Sequence, residues 1–137
     1  MSSDSKKTNF LSGLSSAVSP KEEILVHDGC IFCKIIAKQI PSKIIAENDD
    51  ILVIQDIMPK APIHYLIMPK RHIDDVKSLQ DFDAVLAGKL LLMAKELSSK
   101  LSGSQSFRLI TNNGTDSGQS VLHLHFHFLS GKKMLDF

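Results

Sequence analysis

Tryptophan is absent from the 137-residue chain, tyrosine occurs once and cysteine twice. The two cysteines, Cys30 and Cys33, are too few and too close to staple a small secreted domain. A reducing, cytoplasmic or nuclear setting is therefore expected. Charge of one sign is lacking as well: 16 Lys and Arg against 15 Asp and Glu leave a formal net charge of +1. That balance removes the electrostatic case for a nucleic-acid partner. No apolar run approaches the roughly 20 residues of a membrane span, so no membrane association is expected. There is no Gly-Lys-Ser/Thr phosphate loop and no dense acidic cluster, which argues against a magnesium-dependent kinase or NTPase. Residues 1–20 are rich in serine and lack the apolar core of a secretory signal; they read as a disordered tail. Lys6, Lys7 and Lys21 give weak support to organelle targeting, since Asp4, Glu22 and Glu23 dilute them.

What is present suits one globular domain over residues 21–137, long enough to bury a core without crosslinks. Residues 30–39 have helical spacing and stop before Ile40-Pro41, because a residue preceding proline disfavours helix. Residues 44–46, 51–56 and 63–68 are β-branched and apolar, set apart by Asn48-Asp49-Asp50, Pro62 and Pro69. In 81–101, Phe82, Val85, Leu86, Leu90, Met93, Leu97 and Leu101 recur at spacings of three and four, which predicts a long helix. Gly103 stops it. Residues 107–111 predict a strand, 112–120 a polar loop and 121–129 the last strand. Most connections are too short for helical crossovers. The expectation is an α+β fold, a mostly antiparallel sheet of about five strands with one short and one long helix.

The last strand carries the chemistry. His123, His125 and His127 alternate with Leu122, Leu124, Phe126 and Phe128, so the three histidines share one face and an apolar face opposes them. Half of the six histidines fall in these five residues. A single histidine there would read as an ordinary hydrogen-bonded surface residue; three in phase do not. Just upstream, Gly118, Gln119 and Ser120 form an approach loop, and Asn112 ends the preceding strand. Loop N–H groups can cradle an anion, and Ser120 and Asn112 add neutral donors. Turns commonly use the same residues; beside a histidine cluster the anion reading gains weight. Neutral imidazole is a competent nucleophile near pH 7. Attack on phosphorus by an imidazole of this run would give a phospho-imidazole that water later opens.

Cys30 and Cys33 admit three readings: a redox pair, a packed reduced pair, or half of a zinc site completed by His72 and His123. The redox pair lacks the βαβ setting it normally has. A four-ligand zinc site would be closed and structural.

These residues resemble the histidine-triad (HIT) superfamily. The resemblance runs from about residue 30 to 129. Its most specific stretch is Gly118-Gln119-Ser120-Val121-Leu122-His123-Leu124-His125-Phe126-His127-Phe128-Leu129. Cys30-Ile31-Phe32-Cys33, Asp56-Ile57, Ala61-Pro62-Ile63-His64 and Pro69-Lys70-Arg71-His72 support it. Within the superfamily the chain is more similar to the Hint branch of nucleoside phosphoramidases than to Fhit-like dinucleotide hydrolases, which typically have glutamine where Asn112 stands.

The resemblance implies a HIT-like fold, homodimers, and a purine nucleotide such as AMP or an adenosine 5′-phosphoramidate as ligand. It implies that His125 attacks the α-phosphorus, that His123, His127 and His64 orient and bind phosphate, and that Ser120 bonds the leaving amine. Asn112 with the Gly118-Gln119 backbone would hold the phosphate, and Asp56 the ribose. Ile31, Phe32, Ile35, Ile40, Ile54 and Ile57 would form the purine slot. Taken alone, Asp56 reads equally as a turn cap, the isoleucines as core and His64 as a satisfied strand histidine. The resemblance also implies zinc on Cys30, Cys33, His72 and His123, with no metal needed for the reaction. Gln55 departs from relatives that have histidine there. Two other readings stand beside the phosphoramidase: a dinucleoside polyphosphate hydrolase, and a nucleotide-binding scaffold whose catalysis is incidental.

Overall fold

The computed structural model describes residues 29–136; the serine-rich segment 1–20 and the domain start near residue 21 lie outside the described residues. Cys30 caps helix α1 (Ile31–Ile36), its sulfur accepting the Cys33 N–H at 3.3 Å. Lys38, with a left-handed φ of 63°, ends the helical path short of residue 39. Strands β1 (Ile44–Glu47), β2 (Ile51–Gln55) and β3 (Ile63–Pro69) follow. A 3₁₀ turn, Asp81–Asp83, leads into helix α2 (Ala84–Ser99). Strands β4 (Arg108–Ile110) and β5 (Phe126–Ser130) complete one antiparallel sheet in the order β1-β2-β3-β5-β4. This is the five-stranded sheet with one long helix that the patterning predicts.

Strand alternation decides where the site sits. Ile51, Val53, Ile67 and Phe128 face α2 and pack with Leu90, Met93, Ala94 and Leu97. Leu52, Ile54, Leu66 and Met68 face the other way and pack with Phe32, Cys33, Ile35 and Ile36 of α1. Register places Leu66 opposite His127 and His64 opposite Leu129, so both histidines project on the α1 side of the sheet. On the α2 side Phe128 is sandwiched between Tyr65 and Phe107, at ring distances of 6.1 and 4.7 Å.

Two expectations need correction. The apolar stripe of the long helix does not extend to its start: Phe82 is 80% and Val85 71% exposed. Phe82 lies in the tighter 3₁₀ turn, and Val85 stands about 140° around the helix from Leu90. The last strand begins at Phe126, not at residue 121. Val121 and His123 close a tight turn, His123 N–H to Val121 C=O at 2.8 Å, and Leu124 N–H reaches Ile73 C=O at 2.6 Å. Leu122 is consequently exposed, and the inward apolar face consists of Leu124, Phe126 and Phe128. Among the described residues no helix is long and apolar enough to cross a membrane.

Candidate active site and metal centre

Although residues 123–125 precede the paired strand, their side chains keep the alternation. Leu124 enters the α2 core. His123 and His125 turn back to α1, where Phe32 meets both rings edge-on, at 5.8 and 5.0 Å. His125 and His127 are 5.1 Å apart, and His127 and His64 likewise 5.1 Å. The structure thus gathers all three histidines of the run with His64 on one face.

The partners assign the tautomers. Lys60 N–H donates to His64 Nδ1 at 3.0 Å. The His64 proton is therefore on Nε2, which donates to His127 Nδ1 at 2.9 Å and lies 3.4 Å from an Asp56 carboxylate oxygen. His127 in turn carries its proton on Nε2. His125 Nδ1–H donates to the His123 carbonyl at 2.7 Å, which leaves His125 Nε2 with its lone pair. Burial holds the rings neutral. It pushes His64 and His125 below the ordinary imidazole value. His127 falls to about 4, through burial first and then the neighbouring His125 and His64.

Asp56 performs the turn-capping job that its position alone suggests: Oδ1 accepts the Met58 N–H at 2.7 Å, while Oδ2 faces His64. Gly118 takes a φ of 103°, a conformation that would strain any residue with a side chain. Ser120 is exposed, but Gln119 is buried and its amide is a tether. Gln119 Oε1 accepts the Gly114 N–H at 2.7 Å, and Nε2 donates to Asp74 C=O at 2.7 Å and Val121 C=O at 3.1 Å. The loop before the histidines is thereby rigid. Of the apolar set, Phe32, Ile35 and Ile54 are buried in one cluster with Ile40 against it. Ile31 and Ile57 stand outside that cluster, 44% and 90% exposed.

The second grouping is Cys30, Cys33, His72 and His123, whose donor atoms all lie within 4.8 Å of one another. His72 Nδ1 is 3.3 Å from Cys33 Sγ, and His123 Nδ1 is 3.5 and 3.6 Å from Cys30 and Cys33 Sγ. Tetrahedral zinc with ordinary bond lengths requires ligand-to-ligand edges of about 3.4–3.8 Å. Each imidazole also has its far nitrogen anchored: His123 Nε2–H to Pro69 C=O and His72 Nε2–H to an Asp74 carboxylate oxygen, both at 2.8 Å. That arrangement turns the Nδ1 lone pairs toward the sulfurs, as metal-binding histidines require. The donor set fits zinc. Asp56, His64 and His127 also lie within metal-binding reach of one another, but the proton on His64 Nε2 occupies the position an ion would need.

Sequence reasoning assigned no role in the site to Lys60, Pro69 or Asp74. The first two act through backbone atoms, which carry no residue signature. Asp74 left a signal in its spacing, one residue beyond His72-Ile73.

The HIT domain family model matches residues 37–134. An uncharacterised HIT-like protein of Synechocystis is 43% identical over 102 residues, covering 74% of this chain and 90% of that protein. A histidine triad protein from Clostridium difficile superposes with a TM-score of 0.77 at 36% identity, covering 82% of this chain and 99% of the other. A HIT family hydrolase from Clostridium thermocellum gives 0.76 at 39% identity, covering 81% and 97%.

Proposed function

We propose, for a chain that belongs to the HIT domain family, a purine nucleoside phosphoramidase of the Hint type that works through a nucleotidyl-His125 intermediate. One observation carries this reading: the His123 carbonyl takes the Nδ1 proton of His125 and leaves Nε2 as a neutral nucleophile. Similarity to solved HIT family hydrolases supports the reaction class.

In this reading His125 Nε2 attacks the α-phosphorus of an adenosine 5′-phosphoramidate. The P–N bond breaks and the amine, hydrogen-bonded by Ser120, leaves with a proton taken from solvent, which the attacking water of the second step gives back. Water then opens the phospho-imidazole to AMP and returns the neutral ring. The His64–His127 chain orients His127 Nε2–H toward the phosphoryl oxygens, where developing charge needs a donor. Asn112 and the Gly118-Gln119 backbone add donors, and Asp56 Oδ2 binds the ribose. Exposed Ile31 and Ile57, with Ile40, cover the purine in front of the Phe32, Ile35 and Ile54 cluster.

Cys30, Cys33, His72 and His123 would hold zinc in a structural role. Its place is to fix the segment that presents the His123 carbonyl to the nucleophile. A second copy of the chain would cover the exposed Val85, Leu91 and Leu92 of α2 and the edge of β4 that no strand among the described residues pairs with.

The test is a comparison of kcat/KM for adenosine 5′-phosphoramidate and for diadenosine polyphosphates. A preference for the phosphoramidate supports the reading; a preference for the dinucleotide moves the chain to the other branch. Turnover of neither by the zinc-loaded protein would leave nucleotide binding as its role.

A further inference from the structure

The approach loop opens with a 3₁₀ turn, Thr115–Ser117, and Gly114 enters it with a positive φ of 89°. Gln119 meets both backbone polar groups of Gly114. Its side-chain Oε1 accepts the Gly114 N–H at 2.7 Å, and its own N–H donates to Gly114 C=O at 3.2 Å. The same side chain, buried in the chain, sends Nε2 the other way, to Asp74 C=O at 2.7 Å and Val121 C=O at 3.1 Å. Both amide protons are thereby used.

Those two carbonyls belong to the supports of the metal-binding histidines. The Asp74 carboxylate accepts the Nε2–H of His72 at 2.8 Å. Val121 C=O also accepts the His123 N–H at 2.8 Å. One buried amide therefore touches the support of each imidazole ligand and the start of the anion-holding loop. A second stitch runs beside it: Asn113 Oδ1 accepts the Val76 N–H at 2.7 Å, two residues beyond Asp74.

The consequence is energetic. With zinc held, His72 and His123 are fixed through both ring nitrogens, one on the metal and one on the protein. Without it each ring keeps only its protein anchor, and residues 72–76 and the 121–123 turn gain freedom. The loop tied to them gains it too. A phosphate that binds there must then order the loop itself, which costs conformational entropy.

We propose that the Gln119 side chain is a positioning residue that couples zinc to the nucleotide. Metal on Cys30, Cys33, His72 and His123 raises the affinity of the loop for the phosphate of a nucleoside monophosphate, and the nucleotide raises zinc affinity by the same factor. The inference rests on the nucleotide reading above, which places the phosphate at this loop. It concerns binding, whereas the hold of the His123 carbonyl on His125 concerns the reaction step. Zinc supply thus sets how tightly the chain keeps its product.

The test measures zinc affinity of the full chain by chelator competition, with and without saturating AMP. The parent is compared with Gln119→Met, which keeps the bulk and loses the side-chain bonds to Gly114, Asp74 and Val121. In the parent, AMP should tighten zinc by about five-fold or more, and zinc should tighten AMP equally. In Gln119→Met that factor should fall to about one. A merely weakened fold would lower zinc affinity with and without AMP and leave the factor in place. Asn113→Ala loses only the outer stitch and should lower the factor part of the way; it carries the test if Gln119→Met does not fold. Zinc affinity indifferent to AMP in the parent, or a factor unchanged in the variants, would overturn the proposal. AMP that binds without coupling removes this inference alone. AMP that does not bind at all removes the nucleotide reading and the coupling together.

Discussion

His123 and His125 stand two residues apart, face the same helix and are both buried, yet they are tied through different ring nitrogens. Pro69 C=O takes the Nε2 proton of His123 and leaves Nδ1 for the sulfurs of Cys30 and Cys33. His123 C=O takes the Nδ1 proton of His125 and leaves Nε2 for a ligand. In the proposed reading, the positions of these two carbonyls separate a metal ligand from a nucleophile in the same short run. The two are also linked in series, since the backbone of the first orients the ring of the second.

The comparison breaks most severely at the nucleophile. His125→Ala should reduce phosphoramidate hydrolysis on the order of 10⁴-fold, with AMP binding retained in calorimetry. Turnover near that of the parent protein would remove His125 from its role. The next largest effect is expected at the metal ligands. Cys33→Ser should lower zinc below the expected one ion per chain and destabilise the domain by about 4 kcal/mol in denaturant unfolding. Asp74→Asn, which removes only the negative charge behind His72, should weaken zinc by roughly 10–100-fold in chelator competition. An Asp74→Asn protein with unaltered zinc affinity would dissolve the likeness drawn between the two histidines.

Acid should act on the other half of the comparison. His127 titrates at about 4 in the folded chain against 6.5 for a free imidazole. Between those values the unfolded chain binds a proton that the native chain refuses. This contribution to stability is thus complete above pH 6.5 and lost as pH falls toward 4, a loss of roughly 3 kcal/mol from this ring. His64 and His125, also lowered by burial, add in the same direction. Thermal unfolding across that window checks it, and His127→Gln should flatten the profile. An unchanged slope in the variant would mean that His127 is not the group responsible.

How much of this was legible in the sequence depends on which atoms do the work. Period-two alternation in residues 123–127 correctly put three imidazoles on one face, although the hydrogen-bonded ladder starts only at Phe126. The side-chain pattern outlasts the strand because Leu124 and Phe128 are both drawn into the α2 core. Leu122, one step further out, has no core to enter and is exposed. The long helix was legible from Leu90, Met93 and Leu97, but spacing alone could not separate those from Phe82 and Val85. Apolar side chains left exposed look the same in sequence as those that are buried. Cys30, Cys33, His72 and His123 were recognised as a set, and the structure brings their donor atoms together. What orients them was not legible, since Pro69 C=O, Lys60 N–H and His123 C=O are backbone groups positioned by the fold. Gln119 was read for its backbone alone; the tether made by its side chain depends on Asp74 and Gly114, distant or unremarkable in sequence.

The smallest expected effect on catalysis concerns the outer face of α2. Leu92→Glu should shift the mass measured by light scattering from two chains to one while changing turnover no more than about two-fold, because Leu92 is solvent-facing and outside both histidine groups. A parent protein already monomeric at micromolar concentration would refute the second copy.

Rapid-quench single turnover with a radiolabelled nucleoside phosphoramidate, followed by peptide mapping, addresses the central claim directly. The account predicts transient label of one nucleotidyl group on the peptide containing residue 125, acid-labile as a phospho-imidazole is, and absent from His125→Ala. Full turnover with no labelled peptide at any time, or label on His127 instead, would contradict it.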